Sequence, residues 1–380
     1  MEKRSLIKRL RFLWVGLDPN LSFILLALVI VGNVTFLSAS SGTVITWVEQ
    51  SRNLLMAIVI MWFTSRIPVK WLEKASLWIY LIGLSLLIAV AFVGLIKKGA
   101  RRWLNIGVVI QPSEIMKIAM PMMLSWYFYK REENTKLWDF GFAFILLLLP
   151  TVLIARQPDL GTSILVFAAG FYVILLAGFP WKFVLPFVGI GLIGILLMLI
   201  FGDSICAQGV TWPILKSYQQ HRVCTLLDPT TDPLGKGFHT IQSMIAIGSG
   251  GFLGKGWMKG TQTHLDFIPE KHTDFIFAVY SEEFGLVGNF ILLFLFLLLI
   301  QRGLHIAASA SNLYTRLLGG SVTLIFFTYA FVNMAMVSGL LPVVGVPLPF
   351  ISYGGTALAT LGLGAGILMS IHRHRRLVQT

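Results

Sequence analysis

Apolar runs long enough to cross a lipid bilayer recur along almost the whole chain, and this feature decides the class of fold before any motif is considered. A helix needs roughly 17 to 25 mostly apolar residues to cross about 30 Å of hydrocarbon at about 1.5 Å per residue. Such runs fall near 21–40, 52–67, 75–96, 114–129, 137–154, 161–179, 183–201, 275–300, 317–338 and 352–371, the second and fourth being short and polar. Apolar residues make up 56% of the 380 and charged residues 12%, which is more apolar surface than one water-soluble core could cover. The expectation is an all-α polytopic membrane protein of about ten transmembrane helices, one domain over 1–380, with a single large outer loop at 202–273 between the seventh and eighth helices. The first run lacks a small-residue cleavage site and reads as a retained helix, and no internal repeat stands out.

The net charge of +13 raises the question of a polyanionic partner, but the basic residues sort by membrane side. Lys3, Arg4, Lys8, Arg9 and Arg11 precede the first run; Arg66, Lys70 and Lys74 follow the second; Lys130, Arg131 and Lys136 follow the fourth; Arg373, Arg375 and Arg376 end the chain. With ten spans all of them lie on one side, which the positive-inside rule makes cytoplasmic, together with both termini. These are orientation signals, and no nucleic-acid partner is expected.

One cluster breaks the rule. Lys97, Lys98, Arg101 and Arg102 fall between the third and fourth spans, on the outer side. Either a span is miscounted or the cluster meets lipid headgroups, or it holds an anionic ligand such as a diphosphate, which Arg forks and Lys point charges suit. Just downstream, Glu114 and Lys117 stand one turn apart at a helix start and can pair, as a structural clamp or as part of a polar cavity. Asp159, in the Gln157-Pro158-Asp159-Leu160-Gly161-Thr162 turn, reads equally as a helix cap or as a ligand-facing group.

The outer loop carries Arg222, Gln242 and a glycine run through 248–256 that does not fit a nucleotide-binding spacing and suits close backbone approach. Asp274 then stands where polar sequence gives way to an apolar helix. It is an N-cap by residue type, or a base half withdrawn from water. Glu282 and Glu283, two to three turns further on, need partners or a polar cavity. His264 and His272 lack zinc-ligand spacing, so no structural zinc is expected. Cys206 and Cys224, both in the outer loop, could be joined or free.

From Asn333 to Thr356 the chain reads NMAMVSGLLPVVGVPLPFISYGGT, with prolines and glycines at fixed spacing. This resembles the signature of the SEDS family, whose members include RodA, FtsW and SpoVE. The Lys-Gly-Ala-x-Arg-Trp-Leu segment at 98–104, the Gln-Pro-Ser-Glu and Gln-Pro-Asp-Leu-Gly-Thr turns and His-Thr-Asp-Phe at 272–275 extend the resemblance over nearly the whole chain. The short N-terminus and the stretch 228–260 resemble the elongation branch, RodA, more than the division branch.

The resemblance implies a peptidoglycan glycosyltransferase in the cytoplasmic (inner) membrane that polymerises lipid II on the outer face. It further implies partnership with a class B penicillin-binding protein and with MreC, MreD and RodZ of the elongation complex. Carried over by motif, the family's essential aspartate is Asp274. The α-linked donor ends in a β-1,4 bond, so one inverting displacement needs one base, Asp274, and the departing diphosphate needs cations, with Lys98, Arg101, Arg102 and Arg222 as candidates. Glu114, Lys117, Asp159, Gln242 and Ser352 complete the expected substrate-binding set. A divalent cation, Mg2+ or Mn2+, is compatible with this chemistry, although no metal-ligand cluster stands out. The rival readings are a lipid II flippase and a non-catalytic scaffold. A carrier would more often place its polar sites near the midplane between related halves.

Overall fold

The computed structural model describes residues 17–374, apart from 42, 98–99, 106, 108, 207–209, 211–216, 233–234, 266 and 269. Its long helices are α1 (Pro19–Ala39), α2 (Val44–Arg66), α3 (Val69–Val93), α4 (Pro112–Lys130), α5 (Leu137–Arg156), α6 (Leu160–Leu176), α7 (Trp181–Ile205), α11 (Ile276–Ala308), α12 (Leu313–Val337) and α13 (Gly355–Arg373). Eight of them are long and apolar enough to cross a membrane, α2 among them. The other two, α4 and α6, pack within the same bundle, α4 against α3, α6, α12 and α13. Neighbouring helices cover most of α4, so its polar residues need not face lipid.

The helix ends follow local chemistry. Asp18 caps α1, accepting from the Leu21 amide at 2.7 Å with Pro19 in the first turn, and Asn312 caps α12 through the Thr315 amide at 2.9 Å. Burial sorts the helices into layers. α12 is the axis, with 83% of its most apolar window buried, whereas 6% of that of α7 is covered. Phe187, Ile190 and Leu192 of α7 are exposed, a surface suited to hydrocarbon and not to water.

Between α3 and α4 the basic cluster forms a small antiparallel sheet, β1 (Leu95–Lys97), β2 (Ala100–Asn105) and β3 (Val109–Ile110), in the order β1-β2-β3. The expected third span at 75–96 therefore ends early, at Val93, and the sequence reading contained no strands because these are too short to leave a periodic signal. After α7 come α8 (Ser217–Leu227), α9 (Lys236–Ser249) and the single turn α10 (Thr261–His264). A disulfide between Cys206 and Cys224 ties the end of α7 to α8.

The glycine run serves close packing. A Cβ on Gly254, which has φ +80°, would lie 2.1 Å from the Glu283 carbonyl oxygen, and α11 breaks at Gly285 with φ +63°. Across that break the amides of Lys255 and Gly256 donate to the carbonyls of Glu282 and Glu283, each at 3.0 Å.

Candidate active site

Asp274 lies in the turn that leads into α11, one residue before the N-cap Phe275, so the N-cap suggested by its residue type falls one position on, and its own position is fixed from α12. The Asn333 side-chain amide donates to the Asp274 carbonyl at 2.9 Å and to the Val346 carbonyl at 2.7 Å. One fully buried side chain thus joins the start of α11 to the irregular segment between α12 and α13. That segment lies against the carboxylate: a Cβ on Gly345, with φ +76°, would sit 3.3 Å from Asp274 Oδ2. On its other side Gly161 admits the Val344 carbonyl, which a Cβ there would meet at 2.7 Å. The segment 344–346 is therefore held between Asp274 and the N-terminus of α6.

Asp159 caps that N-terminus. Its Oδ1 accepts from the Thr162 amide at 3.3 Å, and its Oδ2 from Gln111 Nε2 at 3.1 Å. Arg102 reaches the same turn, donating from Nε to the Gln157 carbonyl at 3.3 Å and from Nη2 to the Pro158 carbonyl at 2.5 Å, with Nη1 4.0 Å from Asp159. Arg101 is exposed and Arg102 half-buried, and the pairing of β1 with β2 slips by one residue between them, Ile96 facing Arg101 and Leu95 facing Trp103. Lys98 lies outside the described residues. Of the expected group Lys98, Arg101 and Arg102, the structure places Arg102 on the α5–α6 turn.

Lys117 is 2% exposed and donates to Glu114 Oε1 at 2.5 Å and to the Tyr329 hydroxyl at 2.7 Å. Glu114 Oε2 accepts from Thr360 of α13 at 3.2 Å. Of the two readings open for this pair, the geometry has the form of a clamp, binding α4 to α12 and α13. Tyr329 and Asn333 are four residues apart on α12 and so share one face, which links the clamp to the Asp274 turn through a single helix.

Arg222 lies against Leu341, Pro342 and Val343, just before the segment that faces Asp274. Gln242 is half-buried on α9, which Ser243 fastens to the end of α12 by donating to the Val337 carbonyl at 2.8 Å. Ser352 is buried and holds a turn, its hydroxyl accepting from the Leu348 amide at 2.7 Å. Next to it the Tyr353 hydroxyl donates to Glu49 at 3.2 Å, and burial together with that carboxylate raises its pKa.

Glu282 is fully buried and accepts from Lys255 Nζ at 2.7 Å, the Gln262 amide at 3.0 Å and the Thr263 hydroxyl at 3.1 Å. Glu283 accepts from the Ser38 hydroxyl of α1. Lys271, three residues before Asp274, donates to the Thr263 carbonyl at 2.9 Å, so the carboxylate of Glu282 indirectly steadies the approach to Asp274. Sequence reasoning missed Tyr329 and Thr360. Each is one of several polar residues in a largely apolar helix, and it becomes a signal only when the facing helix is known.

The fold defines a polytopic membrane protein with a polar candidate site built where helix ends and loops meet at one face. The family model for cell cycle proteins of the FtsW/RodA/SpoVE type matches residues 19–377, and the chain belongs to that family. It is 48% identical over 366 residues to the peptidoglycan glycosyltransferase MrdB of Escherichia coli K12, covering 96% of this chain and 95% of the relative. Identity to the peptidoglycan glycosyltransferase RodA of Treponema pallidum is 31%, over 93% and 97% of the two chains. A solved chain described under "Structural coordination of polymerization and crosslinking by a peptidoglycan synthase complex" superposes with a TM-score of 0.77 at 33% identity, covering 96% of this chain and all of the other. The rod shape determining protein RodA of Thermus thermophilus superposes with a TM-score of 0.70 at 26% identity, over 95% and 98% of the chains.

Proposed function

We infer that this chain is a peptidoglycan glycosyltransferase that polymerises lipid II during cell elongation, with Asp274 as its base. The names of the relatives support the activity, and the observation that carries the residue assignment is the placement of Asp274: an acid at the mouth of α11, steadied through its own backbone by Asn333 and faced by a glycine that leaves its carboxylate room. Asp274 takes the proton of the acceptor's 4-hydroxyl as that oxygen attacks the anomeric carbon of the donor. The bond from that carbon to the lipid diphosphate breaks with inversion, and the diphosphate departs as an anion that needs cations rather than an acid. Arg102, Arg222, Lys98 and Arg101 are the groups assigned to it. A Mg2+ or Mn2+ ion would add positive charge at the departing diphosphate; among the described residues no three His, Cys, Asp or Glu side chains are gathered to hold one.

The basic clusters orient the protein with both termini in the cytoplasm and this site on the outer face of the inner membrane. A transpeptidase of the class B penicillin-binding type is the assigned partner, as the peptidoglycan synthase complex of the structural neighbour suggests, with MreC, MreD and RodZ completing the elongation assembly. The test is polymerisation of lipid II by the purified chain with its transpeptidase. Asp274→Asn should abolish product while partner binding and thermal midpoint stay unchanged. Full activity of that variant refutes the base, and no polymer from the wild-type pair in place of lipid II transport or partner stimulation refutes the enzyme.

A further inference from the structure

At the other end of α11, roughly 40 Å of helix path from Asp274 at about 1.5 Å per residue, a second polar site has no part in the proposed reaction. The buried Asp18 carboxylate takes one edge of the Arg302 guanidinium, Nε donating to Oδ1 at 3.0 Å and Nη2 to Oδ2. His372 Nδ1 lies 3.4 Å from the same carboxylate. A guanidinium has further N–H donors beyond those two. Arg302 lines a cavity of about 490 Å³ together with Asn20, Gln301 and His305, which can all donate, and with Phe23, Ile24 and Leu298.

Charge and shape point to the same occupant. Asp18 is the single acid in 17–24, 298–316 and 366–374, the ends of α1, α11, α12 and α13 on this side of the bundle, against Arg302, Arg316 and Arg373. The local excess is positive and suits an anion. The apolar part of the wall is of no use to a free phosphate, and Phe23, 71% exposed, faces the hydrocarbon side. A polar mouth at headgroup depth above an apolar strip matches a phosphate with an acyl chain attached.

We propose that this cavity binds one anionic phospholipid of the leaflet on the basic face, its phosphate on Arg302, Asn20, Gln301 and His305 and one acyl chain along Phe23, Ile24 and Leu298. The lipid bridges α1 and α11 beside their Asp18–Arg302 pair. Because α11 begins at Ile276, two residues after Asp274, the site connects the composition of one leaflet to the stability of the helix that follows the proposed base.

The test is thermal unfolding of the full chain in detergent with added phosphatidylglycerol, phosphatidylcholine of the same acyl chains, or inorganic phosphate. Phosphatidylglycerol alone should raise the midpoint. The double variant Gln301→Ala/His305→Ala leaves the Asp18–Arg302 pair intact and should need about tenfold more phosphatidylglycerol for the same rise, the loss of two donors. Phe23→Ala, on the exposed wall, should also weaken the response and gives a second reading if the double variant folds poorly. An equal response to phosphatidylcholine, a response reproduced by inorganic phosphate, or variants that respond at the wild-type concentration would each overturn the proposal.

Discussion

Replacing Asn333 by alanine removes one side-chain amide and leaves two backbone carbonyls, of Asp274 and Val346, without their donor. Asn333 is fully buried, so water does not readily take its place, and each stranded carbonyl costs about 1–3 kcal/mol. The turn at Asp274 and the segment at Val346 are then free to move apart. A displacement of about 1 Å at a reacting group costs on the order of 100-fold in rate. The expected result for Asn333→Ala is a fall of about 100-fold in turnover, with product made at wild-type chain register and substrate half-saturation little changed, because no substrate contact is removed. Asn333→Asp sharpens the test: it keeps the shape but sets an acceptor against two acceptors, and should be at least as severe. The assay is single-turnover polymerisation of labelled lipid II with the transpeptidase present, beside a thermal melt of the same preparation. Polymerisation by Asn333→Ala within about threefold of wild type, with a normal melt, would show that Asp274 does not depend on this anchor.

Lys117→Met should lower the thermal midpoint sharply, since removing one partner of a buried charged pair costs about 3–5 kcal/mol, and Lys117→Met/Glu114→Gln should recover part of the loss in the same melt. Gly254→Ala places a methyl group against the Glu283 carbonyl at a positive φ, so loop 250–264 should become the first site of limited proteolysis. Burial pushes the Asp18 carboxyl up, but hydrogen bonds from Arg302 and the Leu21 amide and the charges of His372 and Arg302 outweigh it, and the net shift is downward. Its contribution to stability is therefore complete above the ordinary carboxylate value of about 4 and is lost as pH falls through the lower folded value; Asp18→Asn should flatten that acid limb in melts recorded across pH.

The class of fold and the address of the candidate site were legible in the chain because both rest on one-dimensional signals. Apolar runs of bilayer length need no partner to be recognised, and the Asn333–Thr356 and 272–275 motifs pick out the segments that meet at Asp274. The cap at Asp159, one of the two readings open for it, was equally local. What the sequence left open were pairings. Cys206 and Cys224 read as joined or free until α7 and α8 were placed side by side. Glu114 and Lys117 read as clamp or cavity until Tyr329 and Thr360 arrived from other helices. The basic run 97–102 read as a miscounted span, a headgroup contact or an anion site, and a partner for Arg102 came into view only when the α5–α6 turn was placed beside it. A charge in a membrane protein is expensive by itself, and its meaning depends on which distant group compensates it. Hydropathy along the chain therefore determined that this protein spans a bilayer and where its polar segments lie, whereas only the packing of α4, α11 and α12 decided which buried charges hold the bundle together and which carboxylate is left facing a glycine.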